Sequence, residues 1–170
     1  MLNKAIVALG ANLGNTEATL SAAVEALLAS EGIAELKVSR FYTTSPVDSS
    51  GPDYLNAVAS LKTSLSPDEL LRLCQHIENV HGRVRPAGIV NAPRTLDLDV
   101  IDYEGIRQTV PHLILPHPRM HQRLFVLVPM QEVCPDWTFT DGRGLPELIA
   151  EVEKNAPDQK IRLHFSENMA

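Results

Sequence analysis

Pro93-Arg94-Thr95-Leu96-Asp97-Leu98-Asp99-Val100 is the stretch with the clearest chemical potential. Two carboxylates, Asp97 and Asp99, alternate with Leu96, Leu98 and Val100. Residues two apart share one face of a β-strand, so a strand here buries three aliphatics and sets both acids side by side. A helix would separate the acids and split the aliphatic set. Neighbouring carboxylates repel, and each raises the other's pKa unless a cation neutralises them. Magnesium suits that task, because it binds through one or two carboxylates together with phosphate oxygens. Arg94 lies just before the strand, where a guanidinium can meet a phosphate bidentately. Arg83 and Arg85 stand at the start of the loop that ends there. One Asp-x-Asp alone reads most plainly as a wet strand face. Paired acids next to a loop bracketed by three arginines have the composition of a phosphoryl-transfer site.

Three other stretches carry polar groups in useful patterns. Tyr54 and Asn56 are two apart, so on a strand they share a face. An amide beside an aromatic suits a flat, hydrogen-bonding heterocycle, and Phe125 is another of the few aromatics. His117-Pro118-Arg119-Met120-His121-Gln122-Arg123 places two histidines four apart, but Pro118 interrupts and no cysteine or third histidine is near. That argues against zinc and for a basic patch facing an anion, with His117 and Arg123 as candidates. Gly10-Ala11-Asn12-Leu13-Gly14 lacks the lysine and hydroxyl of a P-loop and reads as a strand-to-helix turn.

The elements that must position these groups follow from periodicity. Residues 5–9 form a short apolar run, a buried strand. A helix capped by Asn15 or Thr16 follows, with Leu20, Ala23, Val24, Leu27 and Leu28 as its stripe and Gly32 as its stop. Residues 36–44 and 54–61 are expected strands, joined by a loop rich in Ser, Gly and Pro. Ser66, Pro67 and Glu69 compose an N-cap, a first-turn proline and a capping box. Leu70, Leu73, Cys74, Ile77 and Val80 or His81 form the buried face of that helix, and Gly82 ends it. Residues 83–93 show no periodicity, and a loop of that length inside a compact domain is often functional. Its Gly88 and its lack of an apolar stripe predict a lid that closes over bound substrate. The order so far is βαββαβ, the signature of a ferredoxin-like α+β sandwich with a mostly antiparallel sheet and helices on one face. Beyond it, residues 110–118 are broken by prolines and expected to be irregular. A helix over 119–132, broken or bent near Pro129, a helix over 145–154 and an edge strand over 160–165 complete the reading.

At 170 residues, one domain over 1–170 is the simplest organisation. A net charge of −6 argues against a general nucleic-acid binder. An RNA-binding module on this topology would also need aromatics on its central strands, and 5–9 has none. Cys74 and Cys134 form no Cys-x-x-Cys and read as reduced, buried thiols of a cytoplasmic protein. No cleavable leader and no bilayer-spanning apolar stretch is apparent.

Taken together, Phe41-Tyr42-Thr43-Thr44-Ser45-Pro46, Pro52-Asp53-Tyr54-Leu55-Asn56-Ala57, Gly82-Arg83-Val84-Arg85, the Arg94 to Asp99 stretch and Pro116-His117-Pro118 occur in an order and spacing that matter. With the glycine turn after residue 9, the chain from 5 to 137 resembles the 6-hydroxymethyl-7,8-dihydropterin pyrophosphokinases of folate biosynthesis. The resemblance implies a transferase, an ATP- and magnesium-dependent kinase that moves an intact pyrophosphoryl group from ATP to the pterin hydroxymethyl and leaves AMP. It implies two magnesium ions on Asp97 and Asp99, with Arg83 and Arg94 also in the catalytic set. For the pterin it implies Thr44, Val47, Tyr54, Asn56, Asp97 and Phe125. For the nucleotide it implies Gln75, Glu78, Arg83, Arg85, Arg94, His117 and Arg123. The expected partners are these small molecules alone, with no nucleic acid or membrane, and the expected state is a monomer. Two places depart from the family pattern. Ile89-Val90-Asn91 stands where a relative carries a loop tryptophan, and His112 and Ile114 stand where some members have arginine and threonine.

Overall fold

The structure, a computed structural model, describes residues 1–12, 15–44, 53–81 and 96–164. Its first six elements are β1 (Asn3–Ala11), α1 (Thr16–Leu28), β2 (Ile33–Val38), β3 (Tyr42–Thr44), β4 (Tyr54–Thr63) and α2 (Pro67–His81), followed by β5 (Asp97–Tyr103). The apolar run of β1 has two buried faces. Ala5, Val7, Leu9 and Ala11 enter one core, while Ile6 and Ala8 enter another. A strand covered on both sides needs such an unbroken run. β1 therefore lies inside the sheet, between β5 and β4, with both pairings antiparallel. β2 and β3 both pair antiparallel with β4 on its far side, β2 along residues 59–63 and β3 along 54–56. This is the antiparallel βαββαβ arrangement expected from the sequence, a ferredoxin-like α+β fold.

The helices begin where their caps dictate. Asn15 Oδ1 accepts from Ala18 N at 3.1 Å to start α1. Ser66 and Glu69 form the reciprocal capping box at α2, with Ser66 N to Glu69 Oε1 at 2.9 Å and Glu69 N to Ser66 Oγ at 3.1 Å. Leu20, Ala23 and Leu27 of α1 and Leu70, Cys74 and Ile77 of α2 fill the first core against β1, β4 and β5. Leu28, expected on the buried stripe of α1, and both Val80 and His81, the alternatives for the last buried position of α2, are exposed instead, in the last turns of their helices.

Three expectations are corrected. The strand expected over 36–44 is two strands. Ser39 is 4% exposed, and its Oγ accepts from Val58 N at 3.0 Å and donates to Arg40 O at 2.8 Å. A side chain thus replaces the ladder bond, and the backbone resumes as β3 only at Tyr42. The stretch 110–118 is not wholly irregular, since β6 (Gln108–Val110) and β7 (Leu113–Leu115) pair as a small hairpin that buries Leu113 and Leu115 in the first core. The helix expected over 119–132 is a short 3-10 turn, Met120–Gln122, followed by α3 (Leu124–Val133). Arg123, with extended backbone between them (φ −127°, ψ 112°), lets Met120 and Leu124 both enter the second core. α3 runs through Pro129, which forfeits one ladder bond but lies among buried Leu127, Met130 and Val133.

α3 and α4 (Leu145–Asn155) cover the second face of the sheet, over Ile6, Ala8, Val58 and Ile101. Helices thus lie on both faces, one more layer than the βαββαβ signature alone implies. β8 (Ile161–Leu163) adds to the free side of β3 as the edge strand. No helix among the described residues is long and apolar enough to cross a membrane.

The alternation in β5 has an energetic consequence. Leu98 is 3% exposed, whereas Asp99 is exposed. Leu98→Ala is expected to cost about 2–5 kcal/mol in urea unfolding, the range for a buried leucine truncated to a cavity. Asp99→Ala is expected to stay within about 0.5 kcal/mol, as for a surface substitution.

Candidate active site

The second face of the sheet is apolar under α3 and α4 and turns polar at one end. Three strands bring the polar groups into register there. Asp97 of β5 lies opposite Gly10 of β1, Gly10 lies opposite Asn56 of β4, and Asp99 lies opposite Ala8. Thr44 of β3 lies opposite Tyr54. A cleft of about 990 Å³ opens over this corner, lined by Thr44, Tyr54, Asn56, Asp97 and Asp99 from the sheet and by Arg123 and Phe125 from the start of α3. The two acids share a face, as their spacing requires, with Leu96, Leu98 and Val100 buried on the other.

The floor of the cleft is preorganised. Asn56 is 4% exposed, and its Nδ2 donates to Thr44 Oγ1 at 2.6 Å. That bond holds the amide in one orientation and leaves its carbonyl oxygen toward Gly10. A Cβ on Gly10 would stand 3.2 Å from Asn56 Oδ1, so the glycine keeps the space between the acids and the amide open. Tyr54 and Phe125 are half-buried. Neither belongs to the buried core, and both line the cleft. The Arg123 guanidinium carbon lies 5.4 Å from the Phe125 ring centre, within cation–π range.

His117 does not line the cleft but lies close enough to Asp99 and Arg123 to feel their charges. Its backbone N–H donates to Ile101 O at 2.7 Å, and its Nδ1 accepts from Arg119 N at 3.1 Å. With Nδ1 used as an acceptor, a neutral ring carries its proton on Nε2. Burial pushes the imidazole pKa down from the ordinary histidine value. The Asp99 charge opposes that shift, while Arg123 and Arg119 add to it.

The other expected site residues divide into two sets. Val47, Arg83, Arg85 and Arg94, and with them the 83–93 loop, lie outside the described residues. Gln75 and Glu78 are described but do not line the cleft, because α2 packs on the opposite face of the sheet. Glu78 is 7% exposed, and its Oε2 accepts from Leu98 N at 2.8 Å, which satisfies one outward N–H of β5. His112 pairs with Asp68 at 2.9 Å on the surface. The single tryptophan, Trp137, donates from Nε1 to Asp102 Oδ2 at 2.7 Å and does not line this cleft.

Sequence reasoning missed one wall. Arg143, Glu151, Asn155 and Gln159 line the cleft from the C-terminal part of the chain. Arg143 pairs with Asp141 Oδ2 at 2.8 Å and with Glu151, and its guanidinium lies 5.5 Å from the Phe139 ring centre. The His121 ring is 4.9 Å from the same phenyl ring. Glu151 and Asn155 are four apart on one helix face, a spacing visible in the sequence. Nothing local marks Gln159.

Comparison with known proteins bears directly on this cleft. The family model described as 7,8-dihydro-6-hydroxymethylpterin-pyrophosphokinase (HPPK) matches residues 6–135. The chain belongs to this family. A relative from Bacillus subtilis, named 2-amino-4-hydroxy-6-hydroxymethyldihydropteridine pyrophosphokinase, is 44% identical over 135 residues, 79% of this chain and 80% of its own length. One of the same name from Methylorubrum extorquens is 38% identical over 153 residues, 89% of this chain and 95% of its own. Among solved structures, Plasmodium falciparum HPPK-DHPS superimposes with a TM-score of 0.70 at 12% identity, over 93% of this chain. The present chain spans 44% of that longer one, and at this identity the likeness speaks for the fold. The HPPK match covers every expected cleft residue from Thr44 to Phe125 and stops before α4.

The environment of His117 gives a pH prediction. Its pKa is lowered on folding, so the neutral ring is favoured in the native state. The corresponding stability is present above the unfolded value near 6.5 and is lost as pH falls through the folded value. In an NMR titration the His117 ring is expected to titrate below about 6.5. Asp99→Asn should move the midpoint lower still, because it removes a negative charge that holds the pKa up.

Proposed function

We propose that the chain transfers the β,γ-pyrophosphoryl group of ATP to the hydroxymethyl group of 6-hydroxymethyl-7,8-dihydropterin, the pyrophosphokinase step of folate biosynthesis. The observation that carries this reading is the cleft that gathers Thr44, Tyr54, Asn56, Asp97, Asp99 and Phe125 inside the span matched by the family. The hydroxymethyl oxygen attacks the β-phosphorus, the bond from that phosphorus to the α,β-bridging oxygen breaks, and AMP leaves. The hydroxyl proton is released to water, so one proton appears for each AMP formed.

In this reading Tyr54 and Phe125 hold the two faces of the pterin ring, and Asn56 and Thr44 meet its polar edge, with Val47 contributing backbone groups. Orientation is the larger part of the task, since a hydroxymethyl group is a weak nucleophile and must be held in line with the β-phosphorus. Asp97 and Asp99 are the candidate ligands of two magnesium ions. Among the described residues no cluster of three or more His, Cys, Asp or Glu side chains forms a protein-only cage. Two carboxylates at an open cleft suit a cation that completes its shell with water and phosphate oxygens. Magnesium bound there would supply charge neutralisation of the triphosphate. Arg123 and His117, with Gln75 and Glu78 across the β5 edge and Arg83, Arg85 and Arg94 from the loop, form the proposed nucleotide set. Arginines suit charge that moves onto the AMP leaving group. Every proposed contact comes from one chain, so a monomer suffices, and a cytoplasmic setting supplies the ATP.

The direct test is AMP formation that requires both the reduced pterin and magnesium. Asp97→Ala or Asp99→Ala is expected to reduce turnover by at least a hundredfold, as for loss of an electrostatic group acting on the transition state. Near-normal turnover in the double variant at saturating magnesium would rule out the paired-acid mechanism.

The aromatic pair is tested separately. Tyr54→Ala and Phe125→Ala are each expected to weaken pterin binding about tenfold or more, from lost stacking and lost buried area. ATP affinity should change little. A lowered melting temperature with an unchanged ratio of the two affinities would assign both rings to packing instead.

A further inference from the structure

We infer that Gln159 is a positioning residue for the ring-binding half of the cleft, and that residues 159–163 clamp its two walls together. This rests on the proposed binding of the pterin by Thr44, Asn56, Tyr54 and Phe125. The start of α3, at Leu124, lacks a side-chain cap of its own, since the N-cap residue, Arg123, makes no such hydrogen bond. The first N–H groups of any helix lack an intrahelical acceptor and need one from elsewhere. Gln159, 35 positions along the chain, supplies it: its Oε1 accepts from Leu124 N at 3.0 Å. The same amide donates from Nε2 to Gln122 O at 2.8 Å. One side chain therefore grips the backbone on both sides of Arg123 and immediately before Phe125.

Two residues later the same segment grips the opposite wall. Ile161 lies opposite Thr44, and Leu163 opposite Tyr42, in the β8–β3 ladder. His164 N extends that hold to Phe41 O at 2.9 Å. Thr44 is the hydrogen-bond partner of Asn56. A single short segment thus ties the strand that orients the amide to the helix start that presents the phenyl ring. A stacking slot works only if the spacing between its walls is held, so this tie bears on ring affinity in particular. The family model ends at residue 135, so the segment lies outside the matched span.

The test uses the full chain in calorimetric titrations, first with magnesium and a non-hydrolysable ATP analogue, then with 6-hydroxymethyl-7,8-dihydropterin added to that complex. Gln159→Met keeps the side-chain volume and removes both hydrogen bonds. It is expected to weaken pterin binding about tenfold, the effect of about 1.4 kcal/mol, and to leave analogue binding within about twofold. Gln159→Glu keeps the acceptor for Leu124 N but sets a carboxylate oxygen against Gln122 O in place of the donor, and is expected to weaken pterin binding as well. Unchanged pterin binding by Gln159→Met overturns the inference, as does an equal loss of both ligands with a lowered melting temperature. Should Gln159→Met not fold, Gln159→Glu decides: weaker pterin binding at unchanged analogue affinity supports the clamp, and unchanged pterin binding overturns it. If the unmodified protein binds the analogue and no pterin, the functional reading falls and the clamp falls with it. Pterin binding by the unmodified protein with no effect of Gln159 removes the clamp alone.

Discussion

Burial of Leu96, Leu98 and Val100 decides where Asp97 and Asp99 point. The three aliphatics gain their place by packing against α2 and against Leu9 of β1, which pairs with Leu98. Because side chains alternate along a strand, a shift of one residue in register would send the carboxylates into the first core and the leucines into the cleft. The cost of burying two unpaired charges forbids that alternative. The site therefore needs no separate device to orient its acids. The hydrophobic core does it, and the register of β1 against β4 and β5 then sets the spacing from the acids to Asn56.

The sheet also divides the work between its faces. One face is sealed by α1 and α2 and carries most of the aliphatic volume. The other is sealed by α3 and α4 at one end only, and the uncovered end is the cleft. The acids and the amide stand on strands, where backbone pairing on neighbouring strands limits their movement. Phe125 and Arg123 stand at a helix start whose backbone needs outside partners. The arrangement joins a rigid polar floor to an apolar wall held by long-range hydrogen bonds. Such a division suits a reaction in which a flat heterocycle must be held still while a charged chain is aligned with it.

The βαββαβ order, the capping box at Ser66 and Glu69, and the two same-face pairs, Asp97 with Asp99 and Tyr54 with Asn56, were legible in the sequence, because period and capping are local properties. That the two pairs share one face came from the β5–β1–β4 register. The split between β2 and β3 was not legible either, because it depends on Ser39 meeting Val58 N from a strand that comes later in the chain. Likewise Phe125 and Glu78 could be named from the resemblance. Their surroundings, the cleft for one and the edge of β5 for the other, were set by packing across the sheet.

Residue types and alternation by themselves determined the paired acids and the aromatic–amide pair, because a strand of period two leaves few ways to place them. The order of the motifs carried the resemblance to the family. The tertiary structure alone decided that α3 and α4 cover the second face, that Gly10 keeps the floor open beside Asn56, and that the C-terminal segment reaches back to Leu124 and Thr44. Those contacts join residues far apart in sequence, and no local pattern encodes them. They exist because unsatisfied backbone donors and uncovered apolar faces must find partners somewhere in the fold.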